Sequence, residues 1–123
     1  MGQAQFGGWG QFKRDTRRVP TNTPGVALLD IKNLKLDFLS GEASLRAVDG
    51  VSLAMDAGET VCLVGESGCG KTVTALSIAR LVPTPPAKYV GGEILLNGRD
   101  VLRMSPAELQ KIRGGMVSYV FQE

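Results

Sequence analysis

The densest chemistry in this sequence sits in eight consecutive residues. Gly65-Glu66-Ser67-Gly68-Cys69-Gly70-Lys71-Thr72 meets in full the pattern G-x-x-x-x-G-K-[S/T], and each part of that pattern has a mechanical reason. Gly65, Gly68 and Gly70 let the backbone take conformations closed to other residues and turn its N–H groups toward an anion. A helix starting at Lys71 aims its positive N-terminal end at the same anion. Lys71 offers an ammonium to β- and γ-phosphates, and the Thr72 hydroxyl is a ligand for Mg²⁺. The ligand implied is a nucleoside triphosphate, ATP above all, with Mg²⁺. The bland alternative is a glycine-rich turn with a chance lysine and threonine, and the strand–loop–helix context argues against it. Cys69, beside a lysine and a helix N-terminus, could be a reactive thiol. The plainer reading is a small residue filling a loop position.

The elements around the loop are legible from periodicity. Thr60-Val61-Cys62-Leu63-Val64 is short and rich in β-branched residues, as expected of a strand buried on both faces. After the loop, Lys71 to about Leu81 has the composition of a buried helix, stopped by Pro83, Pro85 and Pro86. Before it, Leu34, Leu36 and Phe38 alternate with Lys35 and Asp37, the mark of a half-buried strand. Ser40-Gly41-Glu42 reads as a turn, and Ala47 to Met55 as a second strand ending at Asp56-Ala57-Gly58. Glu93 to Leu96 predicts a strand closed by Asn97-Gly98, a hairpin signal. Ser105-Pro106-Ala107-Glu108 is a capping box with proline at the first helical position, opening a helix that ends near Arg113, before Gly114-Gly115. Met116 to Phe121 is again strand-like. No internal repeat is visible.

Bulk properties narrow the class. The chain has 123 residues, 43% hydrophobic and 21% charged, close to the average for a soluble globular domain. Formal net charge is +2, but the segment before Val26 holds Lys13, Arg14, Arg17 and Arg18 against Asp15; the remainder carries a net charge of −1. The pI of 8.7 thus belongs to that segment, and nothing supports a nucleic-acid-binding core. Two cysteines, Cys62 and Cys69, flank the start of the loop; they are too few for a disulfide scaffold, and a bridge between them would distort the loop. No apolar run approaches the roughly 18 residues a spanning helix needs. Residues 1–26 read as a disordered leader and 27–123 as the domain. Phe6, Trp9 and Phe12 are spaced as on a surface helix, but Gly7, Gly8 and Gly10 argue against one.

The residues flanking the loop carry a resemblance. Ala47-Val48-Asp49-Gly50-Val51-Ser52-Leu53, Ala57-Gly58-Glu59-Thr60, Gly92-Glu93-Ile94-Leu95-Leu96-Asn97-Gly98-Arg99-Asp100 and Val120-Phe121-Gln122 resemble the ATP-binding subunits of ABC transporters. Pro106 to Phe121, with Ile112-Arg113-Gly114, resembles the branch of oligopeptide and dipeptide importers, which also includes nickel and glutathione importers. The match runs from about Leu28 to Glu123. It implies an α/β P-loop NTPase core with an antiparallel β subdomain, broken off after the Q-loop. It also implies that Phe38 stacks on adenine, although a ring that simply packs in the sheet is the alternative at this position. Gln122 matches the Q-loop glutamine, which reaches Mg²⁺ and the attacking water and communicates with membrane subunits.

By the same resemblance the partners are transmembrane permease subunits, a second ATP-binding subunit and, indirectly, a substrate-binding protein, at the cytoplasmic face of the membrane. The family's signature motif, its Walker B aspartate with the catalytic glutamate, and its switch histidine follow the Q-loop. The chain contains no histidine. The expectation is therefore an N-terminal fragment that binds nucleotide and hydrolyses it at near-background rate. The alternatives are a non-hydrolysing nucleotide-binding remnant and a soluble ABC-type ATPase.

Overall fold

The computed structural model describes residues 26–66 and 68–122, together with the backbone of Gln11–Arg14. In chain order the elements are β1 (Gln11–Arg14), β2 (Leu29–Ser40), β3 (Ala43–Met55), β4 (Val61–Val64), α1 (Lys71–Ser77), β5 (Ala87–Leu96), β6 (Arg99–Asp100), a 3₁₀ turn (Val101–Arg103) and α2 (Pro106–Ile112). Four strands form an antiparallel sheet in the order β3-β2-β5-β6, and β1 pairs with β4 separately.

The sheet follows from the sequence alternation. Leu29, Ile31, Leu34 and Leu36 of β2 are buried together with Val48 and Val51 of β3 and Ile94 and Leu96 of β5. A strict two-residue period would have put Ile31 and Leu34 on opposite faces. The register shift between them removes that conflict, since a bulge adds one residue and restores the buried face. β2 and β3 are joined by the two-residue turn Gly41-Glu42, with Ser40 opposite Ala43. β5 and β6 turn at Asn97-Gly98, where φ is 50° and 80° and Leu96 faces Arg99. Positive φ at both central residues gives the strand twist a tight hairpin needs. Both strands run further than the composition suggested: β3 begins at Ala43 rather than Ala47, and β5 at Ala87 rather than Glu93.

Helix α2 begins as expected. The Ser105 side chain accepts from the Glu108 N–H at 3.3 Å, and the Glu108 carboxylate accepts from the Ser105 N–H at 2.8 Å. Leu109 and Ile112 face the core from this helix. The Ser105 N–H, first, and Arg99 hold the Glu108 carboxyl below the usual carboxylate range.

Three expectations are corrected. β4 is covered on one side: Val61 and Leu63 are half-buried, whereas Cys62 is exposed and Val64 is 55% exposed. A strand is buried on both faces only where a layer packs over each of them; among the described residues β4 pairs at its edge with β1 alone. Residues 116–121 form no named strand: Met116 lies in a turn, and an isolated bridge joins Val117 to Arg113. An extended segment becomes a strand only where another offers it a ladder of hydrogen bonds. Helix α1 ends at Ser77, short of Leu81. The disordered leader expected over residues 1–26 lies outside the described residues, except that Gln11–Arg14 is a strand antiparallel to β4, with Gln11 opposite Val64, and Val26 is described. Pairing there satisfies backbone donors that the open edge of β4 would otherwise expose.

Candidate functional site

The glycine loop lies between β4 and α1, held against β3. Its anchor is Gly70, the residue preceding α1, at φ 90° and ψ 9°. That conformation is left-handed, where L side chains are strained. Space is closed as well: a Cβ on Gly70 would lie 2.7 Å from the Ala47 carbonyl oxygen and 3.6 Å from a Val48 methyl. Ala47 is the unpaired residue where the β2–β3 register shifts, between Leu36 opposite Val48 and Asp37 opposite Arg46. A bulge re-aims backbone groups out of the ladder, and here the carbonyl of residue 47 faces the loop. Sequence reasoning assigned Ala47 to the strand but had no signal for that bulge.

Within the loop, the Cys69 N–H donates to Glu66 O at 3.3 Å, and the Thr74 N–H donates to Gly70 O at 2.9 Å, closing the first helical turn. Lys71 folds back so that its ammonium donates to the Gly65 carbonyl. Among the described residues no carboxylate pairs with that ammonium, so its charge is met by a carbonyl dipole alone. This arrangement suits a phosphate: a cation without a counter-anion, a left-handed glycine, and a helix start lie within a few residues of one another. Thr72, beside Lys71, is exposed. Ser67 lies outside the described residues. Cys62 and Cys69 are both free thiols, Cys62 exposed and Cys69 half-buried.

Phe38 sits on the buried face of β2, opposite Leu45 and Ala87, and packs against the hydrophobic core. Gln122 is exposed, outside any helix or strand, after Phe121. The structure therefore gathers Gly65, Glu66, Cys69, Gly70 and Lys71 into one loop and leaves Gln122 on the segment that follows α2.

That segment nonetheless touches α1. Arg113 donates from Nε to Ala79 O at 2.9 Å and from Nη2 to Arg80 O at 2.8 Å. The Tyr119 hydroxyl donates to Ala75 O at 2.7 Å and accepts from the Ala79 N–H at 3.1 Å. The chain leaves α1 by a Schellman motif, with Arg80 at φ 52° and hydrogen bonds from Arg80 N–H to Ser77 O (3.0 Å) and from Leu81 N–H to Leu76 O (2.9 Å). Sequence reading gave Arg113 as a helix end and gave Tyr119 no role.

A strand, glycine loop and helix of this construction define a phosphate-binding loop on an α/β scaffold. The family is that of the ABC transporter, whose pattern matches residues 48–123, and the chain belongs to it. It is 42% identical over 106 residues to the probable peptide ABC transporter ATP-binding protein y4tR of Sinorhizobium fredii, covering 86% of this chain and 32% of that protein. It is 41% identical over 96 residues to the oligopeptide transport ATP-binding protein OppD of Bacillus subtilis, covering 78% and 27%. With the dipeptide transport ATP-binding protein DppD of Bacillus subtilis the identity is 43% over 96 residues, covering 78% and 29%. The chain thus spans about a third or less of these relatives. Membership carries the P-loop NTPase fold and nucleotide binding. Among the described residues no helix is long and apolar enough to cross a membrane.

Proposed function

We propose that this chain is the ATP-binding part of an ABC transporter that imports peptides or a related small solute. Support comes from the loop, where a Lys71 ammonium without a carboxylate partner among the described residues stands at the start of α1, and from relatives named for peptide, oligopeptide and dipeptide transport. In this reading the backbone of Gly65, Glu66, Ser67, Gly68, Cys69 and Gly70 surrounds the phosphates. Lys71 leaves the Gly65 carbonyl for the β- and γ-phosphates. The Thr72 hydroxyl and the Gln122 side chain hold Mg²⁺, which would neutralise charge on the phosphate oxygens when bound. Phe38 stacks on adenine. Residues 27–123 act as the domain unit. The assembly couples to transmembrane permease subunits at the cytoplasmic face, pairs with a second ATP-binding subunit, and meets a substrate-binding protein indirectly.

The observation that carries this reading is the Lys71–Gly65 contact, because it places a cation inside the loop with no carboxylate beside it among the described residues. Titration of the folded chain with a fluorescent ATP analogue tests it. Saturable binding displaced by ATP and lost in Lys71→Ala is expected; binding indifferent to that substitution overturns the reading. Peptide-stimulated hydrolysis in a complex with permease subunits tests the transport assignment.

A further inference from the structure

In a regular α-helix the Ala79 N–H would donate to the Ala75 carbonyl, four residues back. Here the Tyr119 hydroxyl stands between them, taking the Ala79 N–H at 3.1 Å and giving its own proton to Ala75 O at 2.7 Å. The Ile78 N–H approaches the same carbonyl at 3.3 Å, with the tighter 3₁₀ spacing. Insertion of a side chain into the helical ladder is one of the few ways a helix is interrupted without proline or glycine. Together with the left-handed Arg80, it sets the end of α1 at Ser77.

The inserted side chain belongs to a braced segment. Met116 and Val117 donate to Ile112 O at 2.9 and 3.0 Å, and Gly114 donates to Val117 O at 2.8 Å, so residues 112–117 form a closed loop on the end of α2. Arg113 from that loop grips the carbonyls of Ala79 and Arg80. The Tyr119 ring stacks on Phe121 with centroids 6.0 Å apart and planes at 23°. Gln122 follows at once, within roughly 10 Å of chain from Tyr119.

We propose that Tyr119 is a positioning residue: its hydroxyl, inserted into the α1 ladder, moors the Gln122 segment to the helix that follows the phosphate loop. The inference rests on the reading of Gln122 as a Mg²⁺ ligand. The mooring is exchangeable. If the hydroxyl withdraws, the Ala79 N–H closes on Ala75 O, so these backbone groups are satisfied in either state. The last turn of α1 and the place of Gln122 are thereby two readings of one equilibrium.

The test uses the whole chain and a non-hydrolysable fluorescent ATP analogue, titrated with Mg²⁺ and with EDTA. Tyr119→Phe keeps the stacked ring and loses the hydroxyl. Its metal-free affinity should stay within about twofold of the parent, while the gain from Mg²⁺ falls about five- to tenfold, the range that loss of one or two hydroxyl hydrogen bonds supports. Gln122→Ala should lose the same gain, and the double variant should lose little more. Equal weakening with and without metal overturns the positioning role, as does a full Mg²⁺ gain in Tyr119→Phe. If Gln122→Ala itself keeps the gain, the reading of Gln122 fails and this inference falls with it. If Gln122→Ala loses the gain and Tyr119→Phe does not, this inference alone fails. Should Tyr119→Phe not fold, amide NMR on the unmutated chain decides. An Ala79 amide that shifts in step with Gln122 through the Mg²⁺–analogue titration supports the mooring; a static Ala79 overturns it.

Discussion

Replacing Gly70 by alanine separates two costs that glycine avoids. The first is conformational: φ of 90° is outside the comfortable range of an L residue, and forcing one there costs about 1–2 kcal/mol. The second is steric. The new Cβ would stand 2.7 Å from the Ala47 carbonyl oxygen, a backbone atom of β3 that moves only if the bulge moves; overpacking of this kind costs about 1–3 kcal/mol. Gly68 is the internal control, since its φ is 81° but a Cβ there meets nothing within 4 Å. Gly68→Ala should therefore cost about 1–2 kcal/mol and Gly70→Ala roughly 2–5 kcal/mol. Urea denaturation of both variants beside the parent measures the difference, which should appear in the midpoint with little change of slope. Equal destabilisation by the two substitutions would refute the claim that the β3 bulge and the loop are in contact. Binding of the ATP analogue by Gly70→Ala should weaken even under conditions where the variant is fully folded, because a shifted loop turns its amides away from the anion.

Removing the α2 cap with Ser105→Ala should destabilise by about 1 kcal/mol, read by thermal or urea unfolding. The Glu108 carboxyl is held low by the Ser105 N–H and Arg99, so its contribution is present above the ordinary carboxylate pKa and is lost as pH falls through the depressed value. Glu108→Gln should flatten that acid limb. At the alkaline end, burial first, opposed by the Ala79 N–H, holds the Tyr119 phenol above its ordinary value of 10.0, with Tyr89 raising it further and Arg113 lowering it. The fold prefers the neutral phenol, so this contribution is full below about pH 10 and falls as pH rises through the folded value. Tyr119→Phe should show a shallower alkaline loss, leaving the part due to Tyr89, itself raised by burial. Alkylation of Cys69 should block analogue binding and be slowed by ATP; unchanged affinity after complete modification would remove the thiol from the site.

What could be read from the sequence was whatever a single segment determines for itself. The capping box at Ser105 and Glu108, the Asn97-Gly98 hairpin and the buried face of β2 depend on neighbours a few residues away, and each formed as expected. What could not be read depends on distant parts of the chain. The end of α1 is set by a left-handed Arg80 and by a hydroxyl 40 residues from Ala79 that enters its ladder. The exposure of Cys62 and Val64 on β4, and the lack of a strand partner for residues 118–121 among the described residues, depend on what packs beside them and not on their own composition. In the site itself, Lys71 and the glycines were legible as a motif, whereas the Ala47 carbonyl that closes on Gly70 was hidden in a strand whose composition gives no sign of a bulge.

Both ends of α1 are therefore held by tertiary contacts, and those contacts answer to different parts of the chain. At the N-terminal end, Gly70 is wedged under β3, so the phosphate-facing amides inherit the rigidity of the antiparallel sheet. At the C-terminal end, Ala75, Ala79 and Arg80 are tied to Arg113 and Tyr119, whose own support is α2. A helix of seven residues has little stability of its own, so its geometry is set by these clamps. If Tyr119 moors the Gln122 segment as proposed, a Tyr119→Phe substitution should also shift the amide NMR signals of Gly70 and Lys71 at the far end of α1, and unchanged signals there would show that the two clamps act independently.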